Sequence, residues 1–198
     1  MKHLYIVRHG NTFDKGDTVL RVGGRTDLNL SISGELQAAA LALHFAEFER
    51  GPVRVIAGPL HRTLQTAKAI SDELGVDKVE VDERLREIDY GPDEGKPEAE
   101  VIARIGEDAL AAWESEARVP DGWQVSPAAL VQVWKDLLIE THHGHGDVVA
   151  VTSNGVARFA LEAAGAAGKA PLKLRTGAYG VIAVREFDLE LVAWDVRP

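Results

Sequence analysis

Residues 4–12 of the chain read Leu-Tyr-Ile-Val-Arg-His-Gly-Asn-Thr. The first four residues are apolar and favour β-structure, which predicts a strand buried on both faces, as in a parallel sheet. Arg8, His9 and Gly10 end this run just beyond the predicted strand, at the edge where open α/β sheets bind ligands. Arginine suits phosphate or carboxylate, and histidine can serve as nucleophile, base or metal ligand. The stretch therefore predicts both a sheet and a candidate site, although Arg-His-Gly alone is a weak motif.

The composition indicates one globular domain spanning residues 1–198. Hydrophobic residues make up 45% of the chain and charged residues 27%, as is usual for a soluble domain with a full core. The absence of cysteine excludes disulfides, thiolate metal sites and a cysteine nucleophile. No apolar run approaches the roughly 20 residues of a membrane span, and the N-terminus does not resemble a signal peptide. We therefore expect a cytoplasmic protein with no membrane partner.

The charge pattern favours a small anionic ligand. The formal net charge is −9, and Arg8, Arg21, Arg25 and Arg62 stand singly near glycines and turns instead of forming a basic stripe. An acidic surface of this kind repels nucleic acid. A small cationic pocket within it would favour a small anion over a polymer.

Apolar runs and helical periodicity predict alternating strands and helices. We expect a three-layer α/β sandwich, with a mostly parallel central sheet flanked by helices. The segment 97–141 is expected to form a helical insertion over the C-terminal edge of the strands. The predicted strands are residues 4–7, 53–57, 78–81, 147–152, 176–187 and 189–196, the last two paired as a hairpin. The predicted helices start near Ser31 or Ser33 and end near Phe48 before Gly51-Pro52, then cover 60–74, 97–117, 128–141 and 156–164.

Polar residues follow each of the first four predicted strands. Arg8 and His9 follow the first and Arg62 the second, the acidic loop 82–95 follows the third, and Ser153 and Asn154 follow the fourth. If these strands are parallel, their carboxyl ends meet at one edge of the sheet, and these side chains come together there.

Three closely spaced histidines, His142, His143 and His145, suggest a metal site at first sight. No carboxylate or cysteine spacing supports one. The three residues also precede a strand, which puts them on the edge away from Arg8. We therefore expect no metal site and no cofactor.

Several stretches together resemble the histidine phosphatase superfamily, the phosphoglycerate mutase-like group. They are Val7-Arg-His-Gly-Asn-Thr, Gly24-Arg-Thr-Asp, Gly34-Glu-Leu-Gln-Ala, Pro59-Leu-His-Arg-Thr-Leu-Gln-Thr-Ala and Leu85-Arg-Glu-Ile-Asp-Tyr-Gly with Glu94-Gly95. The resemblance spans nearly the whole chain and is most specific before Gly95.

The resemblance implies a phosphomonoesterase that uses a phosphohistidine and needs no metal. His9 would be the nucleophile, and Arg8 and Arg62 would clamp the phosphate oxygens. Glu87 would protonate the leaving oxygen and later activate water. Asn11, Thr12 and Arg21 would line the phosphate or substrate side. The expected partners are a small phosphorylated metabolite and, at most, a second copy of the chain in a homodimer.

One departure from the family pattern bears on the rate. The family usually has Ser-His-Gly-Gly after the fourth strand, whereas this chain has Thr152-Ser153-Asn154-Gly155. Matching Ser153 to the second histidine predicts a weaker, uncharged donor to the phosphoryl group and a slow enzyme, unless Asn154 compensates. A pocket that binds a phosphorylated metabolite without turnover and a phosphoglycerate mutase are the alternative functions.

Overall fold

The computed structural model describes residues 1–48, 51, 53–186 and 188–198. The strands are β1 (Lys2–Arg8), β2 (Val53–Ala57), β3 (Glu80–Val81), β4 (Asp147–Thr152), β5 (Tyr179–Val184) and β6 (Leu189–Val196). The helices are α1 (Ile32–Phe48), α2 (His61–Leu74), α3 (Glu98–Ile105), α4 (Glu107–Glu116), α5 (Pro127–His143), α6 (Asn154–Ala157) and α7 (Phe159–Ala163). Two short 3₁₀ turns, Glu83–Leu85 and Gly91–Asp93, lie in the acidic loop.

One six-stranded sheet in the order β3-β2-β4-β1-β5-β6 forms the centre of the molecule. Strand β4 pairs in parallel with both β1 and β2, and β3 pairs in parallel with β2. Strands β5 and β6 run antiparallel to their neighbours. The predicted α/β fold with a mostly parallel sheet is confirmed. The carboxyl ends of β1, β2 and β4 lie at the same edge.

Helices cover both faces of the sheet because successive strand residues point to opposite sides. Tyr5 and Val7 pack with Leu41 of α1 and Ile70 of α2. Leu4 and Ile6 belong instead to the larger core that contains the buried side chains of α5, α6 and α7. The three layers of the predicted sandwich are therefore present.

The segment 97–141 departs in detail from the predicted insertion. The single helix predicted over 97–117 is wrong, because Gly106 adopts a φ of 85° and divides it into α3 and α4. Helix α5 packs on the sheet face beside α7. Its end lies at the opposite edge, where Lys2 Nζ donates a 2.6 Å hydrogen bond to the carbonyl oxygen of Gly144. Only the first part of the segment therefore reaches the carboxyl edge of the strands.

The last two strands form the predicted hairpin, in which the backbone N–H of Arg185 donates to the carbonyl of Asp188 at 2.9 Å. Strand β5 starts later than predicted because Gly177 has a φ of 67° and donates its N–H to the carbonyls of Arg8 and His9 at 3.2 and 3.1 Å. This turn closes one side of the carboxyl edge. Pro52 and Phe187, the predicted helix stop and strand end, lie outside the described residues.

Candidate active site

A cavity of about 480 Å³ opens at the carboxyl edge of the sheet. It contains eight of the nine side chains that the sequence predicted for the site, and Ser153 is the exception. The eight are Arg8, His9, Asn11, Thr12, Arg21, Arg62, Glu87 and Asn154. A cavity of this size accommodates a ligand well beyond the size of a phosphate ion.

His9 presents one unprotonated ring nitrogen to this cavity. Its Nδ1 lies 2.7 Å from the carbonyl oxygen of Gly10. Because a carbonyl only accepts, Nδ1 carries the proton and Nε2 keeps its lone pair. The Nε–H of Arg62 donates to this Nε2 at 3.2 Å. Burial, followed by the charges of Arg62 and Arg8, holds the pKa of His9 well below its usual value. The ring is therefore a neutral nucleophile or base over most of the pH range.

Two guanidinium groups flank the histidine, and other contacts fix both. Arg62 is fully buried in the first turn of α2, and its terminal nitrogens donate to the carbonyls of Thr26 and Gly23 at 2.8 and 3.2 Å. Arg8 donates from Nη1 to the carbonyl of Leu174 at 2.7 Å. Both keep further N–H groups for a ligand, and a forked guanidinium suits a tetrahedral oxyanion.

Glu87 supplies a carboxyl group whose pKa is raised by burial. Its side chain is buried, and its two oxygens accept hydrogen bonds from the backbone N–H groups of Ile88 at 2.9 Å and Gly155 at 3.3 Å. Burial raises the pKa of this carboxyl above its usual value, although these donors and the nearby arginines act in the opposite direction. A carboxyl group tuned upward in this way can act as a general acid.

Close backbone packing sets the positions of these groups. A Cβ on Gly155 would lie 2.3 Å from Glu87 Oε1, so only glycine leaves room for the carboxyl group. A Cβ on Gly10 would lie 2.3 Å from the carbonyl oxygen of Gly34, which explains why the turn after β1 can lie against α1. Thr66 on α2 accepts from the Gly10 N–H at 3.2 Å and donates to the Arg62 carbonyl at 2.8 Å.

Asn11 and Arg21 reach the cavity but are partly engaged elsewhere, and Thr12 also lines it. Asn11 donates to Ser33 at 3.0 Å and accepts from Thr176. Arg21 pairs with Glu98 and lies 5.4 Å above the ring of Tyr90. These two side chains are better placed to shape the wall of the cavity than to hold the central anion.

Ser153 does not line this cavity. Its side chain is fully buried, and within the described part of the chain its Oγ has no hydrogen-bond partner. The residue facing the cavity at this strand end is Asn154. The Asn154 Oδ1 accepts from the Leu174 N–H at 2.8 Å, which leaves the Nδ2 donors for the cavity. The physical reason is that Ser153 ends the strand while Asn154 begins α6.

Sequence reasoning missed four further charged groups on the cavity wall, Glu98, Glu114, Arg158 and Lys173. Arg158 was detectable, because it interrupts the apolar stretch Val156-Ala-Arg-Phe-Ala-Leu, and a charge inside a buried element needs a partner or a function. Glu114 and Lys173 gave no such signal, because a single charge beside apolar residues is usual on the surface of a helix or loop.

The described residues contain no group of three or more histidine, cysteine or acidic side chains arranged to hold a metal ion. His142 and His143 line a different depression, beside Lys135 and Leu189. No helix in the described part of the chain has the length and apolar character needed to cross a membrane.

The fold and this arrangement define an α/β protein with a neutral, buried histidine between arginines. A family model described as the histidine phosphatase superfamily (branch 1) matches residues 4–196. The chain therefore belongs to the histidine phosphatase superfamily.

Two curated relatives match part of the chain. A glucosyl-3-phosphoglycerate phosphatase from Mycolicibacterium vanbaalenii is 36% identical over 119 residues, which cover 60% of this chain and 50% of that protein. A protein named "Probable phosphoglycerate mutase GpmB" from an Enterobacter species is 40% identical over 91 residues, covering 46% of this chain and 40% of that protein. The matches span half or less of the length of these relatives.

Solved structures support the fold over the full length. The native structure of a mycobacterial glucosyl-3-phosphoglycerate phosphatase superposes with a TM-score of 0.80. The match covers 100% of both chains at 23% sequence identity. At this level of identity the likeness establishes the architecture alone.

Proposed function

We propose that this chain is a phosphomonoesterase that acts through a phosphohistidine at His9 and needs no metal ion. The observation that carries the proposal is the state of His9. Its Nε2 is unprotonated and lies 3.2 Å from the Nε of Arg62, on a cavity that also contains Arg8 and Glu87. A neutral nucleophile beside fixed cations and a carboxyl group of raised pKa is a set of groups suited to phosphoryl transfer.

In the first step the phosphoryl oxygens of a bound ester accept hydrogen bonds from Arg8 and Arg62. The ester replaces the contact between Arg62 and His9, and Nε2 attacks phosphorus. The N–P bond forms while the P–O bond to the leaving group breaks, and Glu87 gives its proton to the departing oxygen. The fixed guanidinium groups compensate the charge on the equatorial oxygens without reorganisation.

In the second step the Glu87 carboxylate takes a proton from water, whose oxygen attacks phosphorus. The N–P bond breaks, phosphate leaves, and His9 and Glu87 regain their starting protonation states. Dividing hydrolysis into two displacements is the usual advantage of covalent catalysis. The guanidinium groups fill the role that a metal ion has in many other phosphoryl-transfer sites.

Asn154 is the proposed replacement for the second histidine of the family pattern. Because its Oδ1 accepts from Leu174, its amide N–H groups can donate to a phosphoryl oxygen. A neutral donor is about half as strong as a charge-assisted one, so we expect turnover to be slow but present. The neighbouring Ser153, with its buried Oγ, has no part in this step.

The decisive experiment measures phosphate release from p-nitrophenyl phosphate, with and without a chelator, by the wild-type chain and by His9→Ala. We expect chelator-resistant hydrolysis in the wild type, a fall of at least about 10⁴-fold in the variant, and a wild-type phosphoenzyme that survives base but not acid. Circular dichroism checks that the variant is folded.

Other outcomes would assign a different function. Phosphate binding without turnover would favour a protein that only binds a phosphorylated metabolite, a function with which the neutral Asn154 amide is compatible. Conversion of 2-phosphoglycerate to 3-phosphoglycerate faster than hydrolysis would favour a mutase, as the name of the Enterobacter relative suggests. Equal activity of His9→Ala and wild type would rule out the phosphohistidine.

A further inference from the structure

A carboxylate and a guanidinium lie on the cavity wall where the proposed reaction does not use them. Glu114 belongs to α4, and Arg158 lies between α6 and α7. Arg158 is 1% exposed, whereas the Glu114 side chain is 41% exposed. Buried charges are normally paired or serve a ligand, so the partners of these two groups decide their role.

The guanidinium of Arg158 is held rigidly by neutral groups. Its Nη1 donates to the carbonyl of Trp113 at 2.6 Å, and its Nε donates to the carbonyl of Asn154 at 3.2 Å. The guanidinium carbon also lies 4.1 Å above the Trp113 ring. These contacts fix the plane of the group, and its nearest counterion is the Glu114 carboxylate at 3.8 Å.

The ion pair between Glu114 and Arg158 is only partly formed. Its Oε1 lies 3.8 Å from Arg158 Nη2, which is too far for a hydrogen bond. Its Oε2 is buried and has no hydrogen-bond partner among the residues that the structure describes. The carboxylate can therefore still accept a hydrogen bond and the guanidinium can still donate one. A hydroxyl group that bridges the pair from the cavity side, with its oxygen about 2.8 Å from each group, could donate to Glu114 and accept from Arg158.

Other ligand groups fit this gap less well. A carboxylate on the ligand could pair with Arg158, but it has no proton for Glu114 and would meet its charge. An ammonium group could donate to Glu114, but Arg8, Arg158 and Lys173 on the same wall would repel it. A neutral hydroxyl is the group that both side chains accommodate.

The pair also lies within reach of the phosphate end of the cavity. Glu114 raises the pKa of Arg8 and Arg158 lowers it, although burial has the largest effect. The cavity of about 480 Å³ leaves space beyond a phosphate for a leaving group of several carbons. A hydroxyl on that leaving group could therefore reach the pair while the phosphate lies at His9.

We propose that Glu114 and Arg158 form a hydroxyl-binding subsite, so that the preferred substrates are phosphomonoesters of polyols or sugars. This proposal rests on the phosphatase reaction proposed above. It goes further because it names the leaving group, and it assigns a specificity role to two residues outside the reacting centre.

Three esters of equal chain length test the subsite: sorbitol 6-phosphate, hexyl phosphate and the phosphate ester of 6-hydroxyhexanoate. We expect kcat/KM of the wild type to be about tenfold or more higher for the sorbitol ester than for the hexyl ester, the range for a hydrogen bond to a charged group. Glu114→Gln should lower this ratio severalfold, because the neutral amide oxygen is a weaker hydrogen-bond acceptor than the carboxylate. A merely structural role for Glu114 would lower both values together and preserve the ratio.

Glu116→Gln is the matched control on the same helix, because Glu116 pairs with Arg118 on the surface; it should leave the ratio unchanged. Hydrolysis of all three esters with equal kcat/KM, or a preference for the carboxylated ester, would overturn the subsite alone. If no ester is hydrolysed, the proposed reaction fails. In that case calorimetry measures the binding of the same esters, and the proposed subsite requires the sorbitol ester to bind most tightly.

Discussion

The two ends of the cavity differ in how well their carboxyl groups are buried and hydrogen-bonded, since Glu87 is buried with two backbone donors whereas the Glu114 side chain is 41% exposed. At the inner end, His9, Arg62 and Glu87 are each less than 10% exposed, and each forms a hydrogen bond with a backbone group. At the outer end, Glu114 and Arg158 stand 3.8 Å apart, and Lys173 is exposed. A preorganised inner end suits chemistry common to many esters. An outer end with unfilled hydrogen bonds suits selection of the leaving group.

The largest effect is expected from Glu87→Gln, which tests whether Glu87 at the inner end protonates the leaving group. The amide cannot deliver a proton, so kcat/KM for an alkyl phosphate, which reports the first displacement, should fall about 10²–10⁴-fold, the usual contribution of a general acid. For p-nitrophenyl phosphate the loss of kcat/KM should be much smaller, because nitrophenolate leaves with little need for protonation. Steady-state kinetics on both esters measure this difference. Equal losses on both esters would mean that Glu87 only positions other groups.

The pH profile of the wild type checks the same assignment. Because the pKa of Glu87 is raised, its proton is present at low pH and is lost as pH rises through that value. Alkyl phosphate hydrolysis should fall there. Because the pKa of His9 lies well below its usual value, activity should persist into acid. Glu87→Gln should remove the alkaline fall and leave the acid limit unchanged.

A smaller effect is expected from Gly155→Ala, which tests whether packing positions the acid. The added Cβ would lie 2.3 Å from Glu87 Oε1 and 2.8 Å from Ile88 Cγ1, so the carboxyl group must move. A displacement of about 1 Å can cost up to about 10²-fold in rate. The alkyl ester should lose more activity than the nitrophenyl ester, as for Glu87→Gln.

Gly51→Ala is the control for this change, because a Cβ there has nothing within 4 Å. It should leave both rates unchanged. If Gly155→Ala retains full activity on the alkyl ester, the position of Glu87 does not depend on this glycine.

The positions of Arg8, His9 and Arg62 could be predicted from the sequence because each follows a recognisable element, whereas the choice of Glu87 within the acidic loop came from the resemblance to the family. Arg8 and His9 come directly after a continuous apolar strand, and Arg62 stands in the first turn of a helix that follows Gly58-Pro59. The sheet then brings them together through the parallel pairing of β1, β4 and β2. The architecture required no information beyond these local signals.

Two features of the site depend on more than local sequence. Ser153 and Asn154 are neighbours, and which one lines the cavity depends on where the strand gives way to α6, a boundary that local sequence defines to within a few residues. The Glu114–Arg158 pair depends on α4 lying against the junction of α6 and α7, where Arg158 Nη1 donates to the Trp113 carbonyl, and these elements are about 40 residues apart in the chain. The break at Gly106 did have a local signal, since glycine weakens a helix interior.

Asn154→His tests the hydrogen-bond donor that Asn154 is proposed to supply to the phosphoryl group. A histidine could provide a charge-assisted donor to the phosphoryl group, roughly twice as strong as the amide, and we expect kcat on p-nitrophenyl phosphate to rise by about tenfold at acid pH. The gain should fade as pH rises and the new imidazole loses its proton. Ser153→His is the comparison variant, because a ring at that fully buried position should destabilise the fold without raising kcat. Higher activity in Ser153→His than in Asn154→His would instead favour the original matching of Ser153.

The smallest effect is expected from Ser153→Ala. The serine hydroxyl is buried and has no hydrogen-bond partner in the described structure, so its removal relieves an unsatisfied polar group at the cost of one small contact. The free energy of unfolding should therefore change by no more than about 1 kcal/mol, in the stabilising direction, and kcat should stay the same. Denaturant titration and p-nitrophenyl phosphate kinetics measure the two quantities. A loss of kcat with unchanged stability would show that the hydroxyl reaches the ligand, and the cavity wall at this strand end would then have to include Ser153.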